Sequence, residues 1–338
     1  MVLTGRAAAA CATALAVMAS GVVSASAQER LLFTSLSPAG PGNSAFFNAW
    51  AQRVNEDSKG SLKIEVRDGV ALANFGNIYD RVLSDVVQIG WSIHQVIGGK
   101  FPLSEVAGLP FVSTGGVEAS LALSRLHKNG LLADEYKDVV PLIFSVLGPA
   151  QIHYGKAPRT TEDLAGLKLG IQGRVPSQLV SALGATPISF QPGDSYEALQ
   201  RGTVDAYLIS WAAFEPYKLR EVTSFHLEGA FGQSTSMFFM ARKRYDALSP
   251  TARQTLERVA TEATTREFTQ YFIKQWVDSR APVAADPRHK IVQLSAAETE
   301  KWRAKVDPII ADWAKSRPNG EKALETYRRL YAEAGGKQ

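Results

Sequence analysis

The side chains that most often carry out catalysis or bind metals are scattered in this sequence. No two histidines form an H-x-H or H-x-x-x-H pair, so metal ligation has no support from spacing. The histidines are His94, His127, His153, His226 and His289. The chain also has no G-x-S-x-G turn for a serine nucleophile and no G-x-x-x-x-G-K or G-x-G-x-x-G loop for phosphate groups. Because distant residues can still assemble a triad, an enzyme stays one hypothesis, but the missing motifs favour a binding protein without a cofactor.

The single cysteine, Cys11, lies within an N-terminal segment that resembles a secretory signal. Arg6 is followed by an apolar run over residues 7–23 and by an A-x-A pattern at 25–27, which signal peptidase accepts. The alternative is a short membrane anchor, for which this Ala- and Gly-rich run is marginal. We expect cleavage after residue 27, which leaves a cysteine-free protein in the periplasm of a Gram-negative bacterium.

The composition beyond the signal is that of a soluble globular protein. Hydrophobic residues make up 45% of the chain and charged residues 21%, and the formal net charge is +4. The basic residues are spread along the chain without a dense stripe, so we expect a solvated surface and no nucleic-acid partner. The length suffices for one large or two moderate domains.

Hydrophobic patterns predict two α/β units followed by helices. In the first unit, strands are predicted at 31–35, 62–66 and 86–91, and helices at 44–58 and 77–84. In the second unit, strands are predicted at 140–148, 167–172, 187–190 and 204–209, and helices at 161–164, 176–183 and 194–202. The last part of the chain predicts helices from 250 to at least 275, at 296–315 and at 321–334. Two α/β units crossed by long helices would leave a cleft, which favours a small ligand.

Four blocks of sequence, in this order, resemble the substrate-binding proteins of TRAP transporters, the DctP-like family. They lie at 101–111, 161–168 (TEDLAGLK), 182–187 (ALGATP) and 196–205 (YEALQRGTVD), and the similarity runs over nearly the whole mature chain. The resemblance implies an α/β two-domain periplasmic-binding-protein fold with hinge strands and a long helix spanning both domains. We assign residues 28–147 plus 236–275 to domain I, and 148–235 plus 276–338, with the C-terminal helices, to domain II. The resemblance also implies two protein partners, a small and a large integral-membrane subunit of a TRAP transporter.

The resemblance further implies an arginine that pairs with the ligand carboxylate. The position that usually holds it is Gly170 here, and Arg174 follows four residues later. We expect Arg174 to take this role, because a guanidinium meets a carboxylate with two parallel hydrogen bonds. The alternative is a surface arginine at a helix start. A second family arginine is replaced by Ala150 or Gln151, and the asparagine often found after the V-D-G segment is also absent. A pocket with fewer cations favours a monocarboxylate or a ligand with a large apolar surface.

Aromatic residues at strand ends are the other binding candidates. Trp91 and Trp211 each end a predicted strand, where ligands of open α/β sheets bind. Flat rings there could sandwich an aromatic or branched ligand, although packing in the core is the alternative. The further candidates at comparable loops and strand ends are Phe75, Tyr207, Ser210, Phe214, Phe238, Gln151, Asn43 and Ser44. Of these, Asn43 or Ser44 could instead cap the first helix.

These observations favour a periplasmic solute receptor of a TRAP transporter that binds a small organic acid in the interdomain cleft. We expect a monocarboxylate with an apolar or aromatic body, no cofactor and no metal. The alternatives are an ABC-type or sensor-kinase-coupled periplasmic binding protein for another small solute, and an enzyme on the same two-domain fold.

Overall fold

The computed structural model describes residues 28–37, 39–40, 42–158 and 164–336. The predicted signal at 1–27 and residues 161–163 of a predicted short helix therefore lie outside the described residues. No helix among the described residues is both long and apolar enough to cross a bilayer.

The described residues form ten strands and eleven α-helices. The strands are β1 Glu29–Thr34, β2 Leu62–Arg67, β3 Ile89–Ile93, β4 Val139–Tyr154, β5 Lys168–Ile171, β6 Thr186–Ser189, β7 Ala206–Ser210, β8 Phe225–Glu228, β9 Gln233–Ala241 and β10 Lys290–Gln293. The helices are α1 Asn43–Asp57, α2 Ile78–Leu83, α3 Gly116–Lys128, α4 Arg174–Ala182, α5 Ser195–Gln200, α6 Phe214–Tyr217, α7 Arg242–Asp246, α8 Pro250–Val259, α9 Glu262–Ala284, α10 Ala296–Lys315 and α11 Gly320–Glu333.

The strands form one mixed sheet that divides into two lobes. Its order is β2-β1-β3-β9-β4-β7-β5-β6, and β8 pairs with β4 and β10. The long strand β4 pairs with β9 up to Pro149 and with β7 from Ala150 onward. The first lobe thus holds β1, β2, β3 and β9, and the second holds β5 to β8 and β10. Strands β1, β2 and β3 run parallel, as do β5, β6 and β7, so each lobe gathers strand carboxyl ends at one edge.

Helix α9 spans both lobes. It packs on α3 and β4 and also on the 3₁₀ turn at Trp211–Ala213 of the second lobe. The single helix predicted from residue 250 is divided in two, because the Thr261 side chain accepts a hydrogen bond from Thr264 N and starts a new helix. Helix α10 packs on α4, whereas α11 packs on α3 of the first lobe.

An aromatic cluster fills the core of the first lobe beneath β1 and β9. Phe238 on β9 lies with its ring centre 5.0 Å from Phe33, 5.1 Å from Phe47, 5.3 Å from Trp50 and 4.7 Å from Phe268. These steep edge-to-face contacts are the preferred geometry of aromatic pairs. The cluster holds α1 and α9 on the same face of the sheet, and it encloses Phe238 in the core of the lobe, away from solvent.

Candidate functional site

The two lobes meet at the carboxyl ends of their strands. The loop after β3 carries Gln95, and a Cβ placed on Gly173, just after β5, would lie 2.9 Å from Gln95 Cβ. Gly173 has a φ of +92°, which glycine adopts without strain. Gln95 is fixed to β9, since its Nε2 donates to Gln233 O at 3.3 Å and its Oε1 accepts from Thr235 N at 3.2 Å. The lips of the cleft are therefore in contact.

Asp68 orders the first-lobe loops at the cleft. Its Oδ1 accepts from the Ser35 hydroxyl and its Oδ2 from the Ser44 hydroxyl, both at 2.8 Å. One carboxylate thereby joins the end of β1, the start of α1 and the end of β2. Ser44 does not cap α1, because Gly42 occupies the N-cap position and makes no side-chain hydrogen bond.

Trp91 and Phe75 form an aromatic wall on the first lobe. The prediction that Trp91 ends a strand is wrong, because β3 continues to Ile93 and Trp91 lies in its middle. Trp91 ends up 3% exposed, with its ring centre 5.8 Å from Phe75, 5.4 Å from Phe47 and 6.1 Å from Phe272. Its indole Nε1 is buried and has no hydrogen-bond partner among the described residues. The buried indole nitrogen of Trp50 in the core also lacks a partner, so this property does not by itself identify Trp91 as a ligand contact.

Phe190 and Tyr207 form a second aromatic wall on the facing lobe. Their ring centres lie 5.1 Å apart, and both rings cover the backbone of Gly170. A Cβ on Gly170 would lie 2.5 Å from Phe190 Cζ and 2.8 Å from Tyr207 Cδ2, so an arginine cannot occupy this position without moving the rings. The Tyr207 hydroxyl accepts from Gln172 Nε2 at 2.9 Å, and burial holds the pKa of Tyr207 well above its usual value. Phe190, at the end of a predicted strand, was not among the residues predicted to bind the ligand.

Arg174 is the first residue of α4 and is exposed. Among the described residues in the first five positions after β1, β2, β3, β5, β6 and β7, it is the one arginine or lysine. Arg174 interacts electrostatically with Glu105 of the first lobe, which pairs with Arg317 at 3.2 Å. Burial raises the pKa of Glu105, while the charges of Arg317 and, more weakly, Arg174 act to lower it. Arg174 therefore stands at the lip of the cleft, in the field of a first-lobe carboxylate.

Trp211 and Phe214 lie in the core of the second lobe. The Trp211 indole is fully buried and donates to Glu228 Oε1 at 2.8 Å, and Arg280 Nε holds the same oxygen at 2.6 Å. The Phe214 ring centre lies 4.4 Å from that of His153. Both rings are thus already enclosed by protein groups, in contrast to Trp91, whose indole nitrogen lacks a partner.

Gln151 and Ser210 bond to the backbone of their own lobe. Gln151 Oε1 accepts from Gly229 N at 2.9 Å, and its Nε2 donates to Pro149 O at 3.4 Å. The Ser210 hydroxyl accepts from Ala212 N at 3.4 Å and caps the turn after β7. These hydrogen bonds stabilise the part of the second lobe that lies next to the hinge.

Three histidines form a buried row behind the second-lobe wall. His153 Nε2 lies 3.0 Å from the Ile209 carbonyl, which can only accept, so this nitrogen carries the proton. Its Nδ1 must then accept from His226 Nδ1 at 3.0 Å, and His226 Nε2 must accept from His289 Nδ1 at 3.0 Å. Burial lowers the pKa of His226 to about 3 and that of His153 well below its usual value. The three histidines are therefore neutral. Because they are far apart in the sequence, no motif predicted that they would lie together.

No cluster of three or more His, Cys, Asp or Glu side chains that could hold a metal occurs among the residues that the structure describes. A cavity of about 1170 Å³ lies near Gly155 and Arg201, at the other end of β5 and β7. It borders the undescribed residues 159–163 and is remote from the strand carboxyl ends, so we place the candidate site at the cleft.

A family model described as bacterial extracellular solute-binding protein, family 7 (DctP), matches residues 34–316. A Comamonas testosteroni protein named outer membrane transporter protein TsaT is 27% identical over 313 residues, which cover 88% of this chain and 90% of that protein.

Two solved structures share the whole fold. A TRAP solute-binding protein from Rhodoferax ferrireducens, in complex with copurified benzoate, is 26% identical with a TM-score of 0.85, covering 91% of this chain and 98% of that one. A marine metagenome TRAP solute-binding protein described as specific for aromatic acid ligands, co-crystallised with 3-hydroxybenzoate, is 26% identical with a TM-score of 0.84, covering 91% and 99%.

Proposed function

We propose a ligand and a transport role for this chain, which belongs to family 7 of the bacterial extracellular solute-binding proteins, the DctP family. It is a TRAP-type solute receptor for a small organic acid. We infer that the acid is an aromatic monocarboxylate, bound between the lobes and passed to the membrane subunits of a TRAP transporter.

The observation that carries this inference is the pair of aromatic walls, one on each lobe. Trp91 and Phe75 stand on the first lobe, and Phe190 and Tyr207 stand on the second. An aromatic ring bound between two such walls gains about 0.5–1.5 kcal/mol from each ring contact beyond the burial of its surface. The rings that cover Gly170 also take the space of a family arginine, which favours an apolar ligand body over a second charged group.

We assign the ligand carboxylate to Arg174. It is the cation on the described strand-end loops, and its exposed guanidinium is free to reach a carboxylate that enters the mouth of the cleft. The charge of Glu105 competes for the same guanidinium when the cleft is empty. A bound carboxylate would then add charge-assisted hydrogen bonds to Arg174, which the charge of Glu105 alone does not provide.

Similar proteins support the choice of ligand class. Benzoate was copurified with the R. ferrireducens protein, and 3-hydroxybenzoate was bound by the marine metagenome protein. Each of these two proteins is 26% identical to this chain, and each bound ligand has an aromatic ring and a single carboxylate.

The place of action follows from the same proposal. Residues 1–27 would direct export and be removed, and the mature receptor would work in the periplasm without turning over its ligand. Its partners would be a small and a large integral-membrane subunit. Genes for two such subunits beside the gene of this protein would support this pairing.

A thermal-shift screen tests the ligand class. The panel contains aromatic monocarboxylates, aliphatic monocarboxylates, C4-dicarboxylates and hexuronates, each at increasing concentration. An acid at 100 times its Kd stabilises the folded state by about 2.7 kcal/mol, and the shift grows with the logarithm of concentration. We expect aromatic monocarboxylates to give the largest shifts, and a larger shift with a dicarboxylate or a hexuronate would contradict the proposal.

A further inference from the structure

Fourteen buried side-chain polar atoms lack a hydrogen-bond partner among the described residues, and they include Trp91 Nε1 on β3, Asn43 Oδ1 on α1 and Gln275 Nε2 on α9. Leaving a buried donor or acceptor unpaired costs about 1–3 kcal/mol, so a ligand group that pairs with these three atoms would gain affinity. Trp91 is 3% exposed, which excludes bulk water as its regular partner. Two donors and one acceptor therefore await a partner that the chain does not supply.

The contact between the start of α1 and α9 brings Asn43 and Gln275 together. The Tyr271 hydroxyl donates to the carbonyl of Gly42 at 2.5 Å, which fixes the residue before Asn43 against α9. One helical turn after Tyr271, Gln275 Nε2 lies 3.8 Å from the Cβ position of Gly42. Asn43 and Gln275 therefore flank the same junction of α1 and α9.

Trp91 reaches the same face of α9. The Phe272 ring, three residues before Gln275, is stacked on Trp91 at 6.1 Å between ring centres and 22° between planes. Residues three apart on a helix share a face. The next residue, Trp276, donates from its indole to the carbonyl of Pro149 at 3.4 Å, which places this part of α9 at the level of the hinge and hence of the cleft.

We propose that Asn43, Gln275 and Trp91 form a neutral subsite that binds a hydroxyl group on the ring of the ligand; this rests on the proposed function. A hydroxyl donates one hydrogen bond and accepts two. It can therefore accept from Trp91 and Gln275 and donate to Asn43, and it fits equally if both amides are turned over. A carboxylate only accepts, and it would bring a charge to three neutral groups.

The subsite gives the bound acid an orientation. Arg174 lies at the lip on the second lobe, and the neutral subsite lies on the first lobe beside the hinge. The carboxylate would face Arg174 and the hydroxyl would face α9, with the ring between the aromatic walls. The class of ligand is thereby narrowed to hydroxylated aromatic monocarboxylates.

Calorimetric titration of wild type and two variants with benzoate and the three hydroxybenzoate isomers tests the subsite. Gln275→Met keeps the length of the side chain and removes its hydrogen bonds. Gln270→Met is the matched control, because Gln270 lies on the same helix and is exposed. We expect wild type to bind one isomer about tenfold more tightly than benzoate, which corresponds to one net hydrogen bond. Gln275→Met should abolish that preference and leave the Kd of benzoate within threefold of the wild-type value. Gln270→Met should keep the preference for the isomer.

Two outcomes overturn the subsite alone: wild type binds benzoate and all three isomers equally, or Gln275→Met weakens benzoate as much as the preferred isomer. If no aromatic acid binds wild type, the proposed function fails and the subsite fails with it. If circular dichroism shows that Gln275→Met does not fold, Asn43→Ala is titrated in its place and judged by the same two outcomes.

Discussion

Replacing Gly170 with alanine should displace the Phe190 ring and weaken the binding of an aromatic acid. The new methyl group would lie 2.5 Å from Phe190 Cζ and 2.8 Å from Tyr207 Cδ2, distances that no unstrained carbon pair adopts. Tyr207 is fully buried and bonded to Gln172, so Phe190, which is only half-buried, is the ring that must move. It can only move away from Gly170, which changes the second aromatic wall of the cleft.

The size of the effect follows from the contacts. Overpacking by one methyl group costs about 1–3 kcal/mol of folding free energy. Losing one ring contact with the ligand removes about 0.5–1.5 kcal/mol of binding free energy, which corresponds to about a twofold to tenfold rise in Kd. The matched control is Gly193→Ala, since a methyl group on Gly193 meets nothing within 4 Å and its backbone does not need glycine.

Calorimetry with benzoate at 25 °C and a thermal melt of each variant provide the two readouts. Gly170→Ala should melt several degrees lower and bind benzoate more weakly, while Gly193→Ala should match wild type in both. If Gly170→Ala melts lower but keeps the wild-type Kd, the wall formed by Phe190 and Tyr207 does not contact the ligand, and the reasoning is refuted.

Three further predictions concern charge, core and pH. Arg174→Ala should weaken every bound carboxylate about tenfold or more, because a charge-assisted hydrogen bond contributes about 1.5–3 kcal/mol; an unchanged Kd by calorimetry would place the anion elsewhere. Trp211→Phe should lower the free energy of unfolding by about 1–3 kcal/mol in urea while Kd stays within twofold, because the change leaves a buried Glu228 oxygen without its indole donor; a selective loss of binding would return Trp211 to the ligand site. Burial lowers the pKa of His94 to about 4 and that of His226 to about 3, so unfolding takes up protons below about pH 6.5 and the melting temperature should fall between pH 7 and 5; a constant value would contradict neutral buried histidines.

Two carboxyl groups, Glu105 and Glu135, act against this pH trend, because burial raises the pKa of each. Burial raises the pKa of Glu135 to about 7 from its usual 4.5, so the folded state keeps its proton and loses stability as pH rises through that range. A single raised carboxyl changes stability by at most about 1.4 kcal/mol per pH unit, the same as each lowered histidine. The pKa is lowered for at least four histidines: His94, His127, His153 and His226. The histidines therefore determine whether stability rises or falls with pH.

Helices with strong local signals were predicted well from the sequence. Helix α10 has the predicted bounds, because Ser295 and Glu298 form a reciprocal capping box before an apolar stripe. Strands β8, β9 and β10 and helix α3 were not predicted. Strand β9 is almost wholly buried between β3 and β4, so it lacks the alternation that marks a half-exposed strand.

The candidate site could be predicted only in part. Its location between two α/β lobes follows from the pattern, and Trp91 and Phe75 are in contact, but Trp91 lies in the middle of β3 and not at the predicted strand end. Sequence position alone could not tell Trp91 from Trp211, because the difference lies in partners from distant segments: Glu228 and Arg280 surround one, whereas the other keeps an unpaired nitrogen. Phe190 and Gln275 gave no signal for the same reason, since Gly170 and Gly42 become their neighbours only in the folded chain.

A calorimetric comparison of benzoate with succinate on the purified mature protein shows most directly whether it is a receptor for an aromatic monocarboxylate. We predict that benzoate binds with a Kd of about 1 μM or below, which corresponds to a binding free energy of about −8 kcal/mol. The heat-capacity change should be negative, because the aromatic ring is buried. Succinate should bind at least about a hundredfold more weakly, because its second carboxylate would be buried without a partner. If benzoate does not bind, or if succinate binds more tightly, the protein is not a receptor for an aromatic monocarboxylate.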